Sequence, residues 1–136
     1  MSKIALCLQA LTLPRIAHRS EAPRKMRDLF RALRIVESDR NPYAVGDYGQ
    51  SIGMYQITYP YWQDACEQRP DLRSGSYAMC VYRPYSENVM LAYWKRHAPD
   101  SVSWEQLARI HNGGPNGYKK QATRPYWKKV QRHLFI

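Results

Sequence analysis

Residues 26–57 read MRDLFRALRIVESDRNPYAVGDYGQSIGMYQI, and this stretch decides the fold class. Its first part predicts an amphipathic helix over residues 26–36, because apolar residues recur there at the spacing of one helix face. These residues are Met26, Leu29, Phe30 and Leu33. Asn41-Pro42 should end the helix, since a residue before proline is pushed out of the α conformation. Residues 43–57 combine three glycines and an aspartate with β-forming residues, which predicts a short hairpin with a tight turn.

The rest of the chain predicts four further helices. They cover residues 60–68, residues 86–97, residues 103–111, and a last segment that opens at Thr123 and Pro125. The run Asn112-Gly113-Gly114-Pro115 should stop the helix over residues 103–111. The expected fold class is therefore α+β, with about five helices around a core and one small β-hairpin.

Length and charge limit the classes of protein that this chain can belong to. Its 136 residues fit a single compact domain. Its net charge of +10 is typical of proteins that bind polyanions such as nucleic acid, anionic lipid or the bacterial wall. Both ends of the chain are basic, whereas residues 41–100 carry five basic and six acidic side chains. This distribution favours a basic body around a nearly neutral cleft over a nucleic-acid-binding surface.

The first 25 residues differ from the rest. Lys3 precedes a mostly apolar stretch over residues 4–13, which resembles a secretory signal but is short and interrupted by Gln9. We expect residues 1–25 to form an N-terminal arm, with a weak signal as the alternative, and residues 26–136 to form one domain. No stretch approaches the ~18 apolar residues of a transmembrane helix.

Two carboxyl groups stand out as candidates for acid–base chemistry. Glu37 closes the first helix at the border between its buried and exposed faces, where partial burial favours a protonated carboxyl group. Asp47 lies in a polar, glycine-flanked turn, where a carboxylate stays ionised. Two carboxyl groups in such different environments are what glycoside hydrolysis requires. A glutamate at a helix end and an aspartate in a turn are also common structural features, so the spacing alone does not decide.

Two sets of motifs occur together, in the same order, in one known family. The first set is RIVES at residues 34–38, GDYG at 46–49, SIGMYQI at 51–57 and YWQD at 61–64. The second set is ARIHNGGPNG at residues 108–117, followed by Tyr126-Trp127. On these motifs the chain resembles the invertebrate-type (destabilase-like) lysozymes from about residue 30 to residue 130. Glu37-Ser38 and the turn over residues 53–56 also resemble goose-type lysozymes and lytic transglycosylases.

The resemblance implies a lysozyme-like fold in which the hairpin lines a glycan cleft. It implies that Glu37 is the general acid and that Asp47 is the nucleophile or stabiliser. The spacing from Asp47 to Gly53 is one residue shorter than in the family pattern. The resemblance also implies a set of substrate-binding residues: Ser51, Gly53, Tyr55, Gln56, Ile57, Tyr93, His111, Asn112 and Gly113.

The cysteines depart from the family pattern, which is rich in disulfides. The chain has three cysteines, and this favours a bacterial or phage-like member over a secreted animal protein. Cys66 and Cys80 could close a fifteen-residue loop, a disulfide worth about 3 kcal/mol, or remain free buried thiols. No cluster of Cys and His has the spacing of a metal site, so we expect neither a metal nor a cofactor.

The function implied by the resemblance is that of a peptidoglycan hydrolase. Such a muramidase cleaves the β-1,4 bond between N-acetylmuramic acid and N-acetylglucosamine. Two alternatives stay open: a lytic transglycosylase that uses a single glutamate, and a non-catalytic basic module that binds the wall or nucleic acid. We expect peptidoglycan strands, and not nucleic acid, as the partner of a monomer. The protein would reach the cell wall by secretion, through the periplasm or by phage delivery.

Overall fold

The computed structural model describes residues 13–100 and 102–135, which contain five α-helices and one small sheet. The helices are α1 (Arg27–Ser38), α2 (Tyr59–Gln68), α3 (Arg83–His97), α4 (Trp104–Gly113) and α5 (Arg124–Gln131). Short 3₁₀ helices join them at Arg15–Ala17, Arg24–Met26, Asp47–Gly49, Pro70–Ser74, Tyr77–Val81, Gly117–Lys119 and Gln121–Thr123. The predicted α+β class and the five predicted helices are confirmed.

Helix α1 buries the face that its sequence predicts and ends earlier than Asn41-Pro42. Leu29, Phe30 and Leu33 are buried in the core. The helix stops at Ser38 because Asp39 and Arg40 adopt left-handed backbone angles, with φ of 52° and 64°. Their amides donate to the carbonyls of the last helical turn, which closes the helix. Pro42 restricts only the residue before it, so its position in the sequence does not locate the end of α1 at Ser38.

The sheet is a three-stranded antiparallel meander and not the single hairpin that we predicted. Its strands are β1 (Val45–Gly46), β2 (Ser51–Ile52) and β3 (Ile57–Thr58), in that spatial order. In the register of the sheet Val45 pairs with Ile52, and Ile52 pairs with Ile57. Strands of two residues carry too little sequence periodicity to reveal a third strand.

Helix α3 is the centre of the core. Its residues from Tyr85 to Met90 are all buried, polar ones included, as expected of a helix that is surrounded on every side. Helices α2 and α4 pack against α3, and α5 packs against both α1 and α4. Packing of α5 on α1 brings the C-terminal part of the chain to the end of α1.

Two helix ends follow their sequence signals closely. Ser103 caps the start of α4, and Gln106 completes a capping box with it. Helix α4 ends at Gly113, and Gly114 follows with φ of 87°. The predicted stop at residues 112–115 is confirmed.

The described part of the expected N-terminal arm is fixed to α3. The side-chain amide of the buried Asn88 donates to the carbonyls of Ile16 and Arg19, at 2.9 Å each. The backbone N–H of Glu21 donates to Asn88 Oδ1 at 2.8 Å. Three hydrogen bonds from one buried amide therefore hold residues 16–21 against the body. Residues 1–12 of the expected arm lie outside the described residues.

The possible disulfide between Cys66 and Cys80 does not form, because both are free thiols in the structure. Cys66 lies in α2, Cys80 lies in the 3₁₀ helix that precedes α3, and both side chains are buried. Burial raises the pKa of both thiols, and the effect is larger for Cys80. They are neutral residues of the apolar core, which was the alternative that the sequence left open.

Gly53 is a position at which the fold leaves no room for a side chain. Its φ is 81°, and a Cβ there would lie 2.3 Å from the carbonyl oxygen of Cys80. We expect Gly53→Ala to cost about 3 kcal/mol or more of unfolding free energy, from left-handed strain plus overpacking. Gly49 is the matched control, because its φ is 88° and its surroundings are open. Gly49→Ala should cost only the strain, about 1–2 kcal/mol. Equal losses in urea unfolding would contradict the close approach of Gly53 to Cys80.

Candidate active site

A cleft of about 570 Å³ opens between the end of α1, the sheet, α2, α3 and the end of α4. Its lining is mostly polar, with several tyrosine and proline faces. The lining residues are Glu37, Gly46, Asp47, Ser51, Gln56, Thr58, Pro60, Tyr61, Asp64, Tyr93, His111, Asn112, Gly114 and Pro115. The two carboxyl groups singled out from the sequence, Glu37 and Asp47, thus share one cleft.

Glu37 is held through one of its two carboxyl oxygens. The Tyr126 hydroxyl donates to Glu37 Oε2 at 2.8 Å, and His111 Nε2 lies 3.4 Å from the same atom. Glu37 Oε1 accepts no hydrogen bond from any residue in the described ranges. The side chain is 17% exposed, so it is partly withdrawn from water but still reachable from the cleft. One oxygen is anchored, and the other is free to exchange a proton with a ligand.

The partners of His111 fix its ring orientation. Nε2 lies 2.9 Å from the backbone carbonyl of Tyr55 and also faces the Glu37 carboxyl group. Both neighbours are hydrogen-bond acceptors, so Nε2 carries a hydrogen. Nδ1 lies 3.0 Å from the hydroxyl of Tyr61. The Nε2–H of His111 therefore donates to the Tyr55 carbonyl, and the same edge of the ring lies beside the Glu37 carboxyl group.

The tyrosines around Glu37 remain hydrogen-bond donors at every ordinary pH. Burial, followed by the nearby Glu37 carboxylate, raises the pKa of Tyr126 well above its usual value. Burial also raises the pKa of Tyr61 well above its usual value, with smaller effects from Tyr93 and Glu37. Donation from Tyr126 to Glu37 is therefore independent of pH in the range where the protein is folded.

Asp47 lies across the cleft in a strained turn. Asp47 and Tyr48 have φ of 51° and 56°, a left-handed conformation that is costly for residues with a Cβ. The Ser51 hydroxyl donates to Asp47 Oδ2 at 2.6 Å and orients the carboxylate. Asp47 is exposed to solvent. Gly49, with φ of 88°, completes the turn.

Gln56 braces the loop that carries Asp47. Its side-chain amide donates to the carbonyls of Ala44 and Gly53, at 3.2 and 3.0 Å. A Cβ on Gly46 would lie 2.2 Å from Gln56 Oε1, so glycine is needed for this approach. The predicted cleft residue Gln56 thus ties β1 to the turn between β2 and β3.

A third carboxylate, Asp64, lines the cleft and was not selected from the sequence. It accepts from His97 Nε2 at 2.5 Å and forms an ion pair with Arg96 at 3.0 Å. His97 and Arg96 belong to the last turn of α3, so α3 sets the position of this carboxylate. These two partners fix the orientation of the Asp64 carboxylate in the cleft.

Stacked tyrosine rings form one wall of the cleft. Tyr61 and Tyr93 lie with ring centroids 3.7 Å apart and planes 11° apart. Burial, followed by Asp64, raises the pKa of Tyr93 to about 12, so its hydroxyl stays protonated. An aromatic wall beside polar groups suits a ligand that has both apolar faces and hydroxyl groups.

Four residues predicted to bind substrate lie outside the lining of the cleft. The Tyr55 ring is fully buried, and its hydroxyl bonds to Arg34 and Glu87, so only its carbonyl reaches His111. Ile57 is also fully buried, as part of the core. Gly53 packs against the carbonyl of Cys80, and Gly113 packs against the Thr123 side chain.

The structure brings the other predicted residues together. Those that line the cleft are Glu37, Asp47, Ser51, Gln56, Tyr93, His111 and Asn112. Sequence reasoning missed Tyr61, Asp64 and Tyr126, which lie in the quoted motifs YWQD and Tyr126-Trp127. Membership in those motifs was the only available signal.

Within the described ranges, no group of three or more His, Cys, Asp or Glu side chains could hold a metal ion. In the same ranges, no helix is both long and apolar enough to cross a membrane.

The chain is similar in sequence to known proteins. The sequence profile of the Destabilase family matches residues 30–133. A lysozyme from Magallana gigas is 36% identical over 90 residues, which cover 62% of this chain and 61% of that protein. Invertebrate-type lysozyme 6 from Caenorhabditis elegans is 33% identical over 108 residues, which cover 70% of this chain and 77% of that protein.

Solved structures show the same similarity. The crystal structure of Tapes japonica lysozyme superimposes with a TM-score of 0.67 at 29% identity, over 78% of this chain and 88% of that one. The match spans less than two thirds of the length of the first curated relatives, 61% for the Magallana gigas protein and 60% for one from Ruditapes philippinarum.

Proposed function

Because this chain belongs to the destabilase family of invertebrate-type lysozymes, we propose that it is a peptidoglycan hydrolase. It acts as a muramidase on the β-1,4 bond between N-acetylmuramic acid and N-acetylglucosamine. The single observation that carries the proposal is the arrangement of Glu37, which lines the cleft with Oε2 anchored by the Tyr126 hydroxyl and with Oε1 free of hydrogen bonds from the described residues.

Glu37 is the general acid of this mechanism. Its protonated form transfers a proton from Oε1 to the glycosidic oxygen as the bond to the leaving sugar breaks. The carboxylate that results is stabilised at Oε2 by the Tyr126 hydroxyl, and His111 Nε2 lies 3.4 Å from the same atom. The Tyr126 donor already points at the charge before it develops, so it needs no rearrangement during the reaction.

Asp47 stabilises the positive charge that develops at the anomeric carbon or attacks that carbon. The Ser51 hydroxyl holds Oδ2, and the carboxylate faces the same cleft as Glu37. In a retaining mechanism Glu37 then acts as a base and activates the water that releases the sugar.

The cleft offers groups for sugar recognition on both sides of Glu37. Tyr93, stacked on Tyr61, presents an aromatic edge and a hydroxyl, and the exposed Asn112 presents an amide. The net charge of +10 attracts the enzyme to an anionic wall at long range. We propose that it acts there as a monomer outside the cytoplasm.

The second candidate is a lytic transglycosylase, and the exposure of Asp47 favours it. Such an enzyme uses a single glutamate as acid and then as base, and closes the muramyl 6-hydroxyl onto its own anomeric carbon. Asp47 is exposed in a turn that is one residue shorter than the family pattern. If this carboxylate stays away from the scissile bond, Glu37 works alone.

The experiment that tests the proposed function measures new reducing ends on purified peptidoglycan, together with the amount of protein bound to it. A hydrolase generates reducing ends in proportion to time and enzyme. Stable binding without new ends of any kind would identify a non-catalytic wall-binding module and refute the proposal.

Removing the hydroxyl that anchors Glu37 should slow the reaction without unfolding the protein. We expect Tyr126→Phe to lower kcat about 10- to 100-fold, since a hydrogen bond to a charged group is worth about 1.5–3 kcal/mol. The matched control is Tyr82→Phe, because the partly buried Tyr82 makes no side-chain hydrogen bond within the described residues. Its kcat should stay within about twofold of the parent value. Equal rates for Tyr126→Phe and the parent would contradict the role of this donor.

A further inference from the structure

A second concave site lies along α1, from its first residue Arg27 to Arg34. This basic pocket has a volume of about 610 Å³, and its ionisable lining consists of His18, Arg19, Arg27, Arg34, Arg83 and Glu87. It shares no lining residue with the cleft. Arg34 lies one helical turn before Glu37, but it lines only the basic pocket, and Glu37 lines only the cleft. The basic pocket is therefore a concavity separate from the proposed active site.

The one carboxylate in the lining of the basic pocket, Glu87, already has hydrogen-bond and ion-pair partners. Glu87 is 3% exposed and accepts from Arg83 at 3.0 and 2.9 Å, one bond to each oxygen. The Tyr55 hydroxyl donates to Glu87 Oε2 at 2.6 Å, and Arg34 lies 3.8 Å from the same atom. Burial, followed by Glu87 itself, raises the pKa of Tyr55, which keeps this hydroxyl a donor. Glu87 thus has no remaining capacity to neutralise further arginines.

Two guanidinium groups are left without a carboxylate. Arg19 and Arg27 are exposed, and neither pairs with an acidic side chain in residues 13–100 or 102–135. Four arginines share the concave surface with one carboxylate, so the basic pocket carries a clear excess of positive charge. Like charges gathered in one concave site repel one another and attract an anion from solution.

The helix ends at the basic pocket add to this charge. Arg27 is the first residue of α1 and Arg83 is the first residue of α3, and no side chain caps either helix start. A helix N-terminus carries partial positive charge, so an arginine there is unfavourable unless an anion is present. Asp28 lies in the first turn of α1 and pairs with Arg31, whereas the first turn of α3 holds no acidic residue. The start of α3 therefore has no acidic side chain in its first turn to balance its partial positive charge, and a helix start of this kind attracts an anion.

We propose that the basic pocket binds a phosphate group. Guanidinium groups donate pairs of hydrogen bonds in a fixed fork that matches the oxygens of phosphate. Phosphate offers more acceptor oxygens and more charge than a carboxylate, which suits two unpaired arginines beside two helix starts. The phosphate is either a free ion or part of a phosphodiester polymer of the bacterial wall.

Titration calorimetry on the full chain tests the proposal with two probes, inorganic phosphate and poly(glycerol phosphate). We expect saturable binding of at least one probe, weakened ~10-fold or more in the double variant Arg19→Gln/Arg27→Gln, which removes two charge-assisted contacts. Tighter binding of the polymer per phosphate would identify the polymer as the ligand. Equal binding would identify the free ion. Either result supports the site if it depends on these arginines.

The matched control removes the same charge elsewhere. Arg124 and Arg132 are exposed and have no ion pair within the described residues, so Arg124→Gln/Arg132→Gln should change the affinity less than about twofold. The single variant Arg19→Gln alters only an exposed residue and should still weaken binding if the double variant does not fold. The proposal is overturned if neither probe saturates, or if the control loses as much affinity as the pocket variant. Binding is the only readout, so the outcome is independent of the proposed hydrolase activity.

Discussion

Glu37→Gln is expected to reduce turnover of peptidoglycan by at least ~10²–10⁴-fold while the protein stays folded. Glutamine keeps the shape of the side chain, and its carbonyl oxygen can still accept the hydrogen bond from Tyr126. What it lacks is a proton to transfer to the glycosidic oxygen. Initial rates on purified walls, with circular dichroism to verify folding, measure this loss.

The matched control for Glu37→Gln is Glu67→Gln. Glu67 is an exposed residue of α2 that pairs with Arg73 at 2.9 Å and does not line the cleft. An exposed ion pair contributes about 0–1 kcal/mol, so this variant should keep the parent rate within about twofold. If Glu37→Gln retained more than about a tenth of the parent activity, Glu37 would not be the general acid.

Asp47→Asn is the second variant with a large expected effect. Asparagine tolerates the left-handed backbone of the turn and can still accept from Ser51, so the loop should keep its conformation. The negative charge that stabilises the anomeric carbon is lost. We expect hydrolysis to fall by about 10²–10³-fold, as measured by the release of reducing ends.

Asp39→Asn is a close control for Asp47→Asn. Asp39 is also exposed and has φ of 52°, against 51° for Asp47, but it does not line the cleft. Its substitution should leave the rate within about twofold of the parent value.

In a structure with bound glycan, a retaining pair predicts carboxyl groups of Glu37 and Asp47 about 5–5.5 Å apart, and an inverting pair about 6.5–9.5 Å. A larger separation, with full activity of Asp47→Asn, would favour the transglycosylase mechanism.

The sequence predicted the helices well because each of them carries its own local signals. The apolar face of α1, the capping box of α4 and the prolines at the start of α2, α3 and α5 act within a few residues of the element. The ends of α1 and the third strand were not predictable to the residue. Asp39 and Arg40 have no strong intrinsic preference for the left-handed conformation that ends α1. A two-residue strand is defined by its pairing with the neighbouring strand, and this pairing leaves no signal in its own sequence.

The side chains of the motif over residues 51–57 do not all face the cleft. Along residues 51–58 burial alternates, and Gly53, Tyr55 and Ile57 are buried away from the cleft, whereas the buried Ser51 lines it through its hydrogen bond to Asp47. A contiguous motif therefore supplies two different surfaces, and only some of its members can face a ligand. Family resemblance located the motif, but it did not show which side of the chain faces the core.

The environment of Glu37 could not be derived from local sequence. Tyr126 lies 89 residues from Glu37 and reaches it only because α5 packs against α1. His111 reaches it from the end of α4, and its ring is oriented by Tyr61 and by the carbonyl of Tyr55. Contacts of this kind depend on the packing of the whole domain and on no pattern within a single element.

The most direct test of the central claim is the mass of the products formed from purified peptidoglycan in ¹⁸O-labelled water. Hydrolysis assisted by Glu37 predicts that each new muramyl reducing end carries one heavy oxygen and that Glu37→Gln forms none. Unlabelled 1,6-anhydromuramyl ends would contradict hydrolysis and identify a transglycosylase. The absence of new ends with the parent protein would contradict any catalytic role for the cleft.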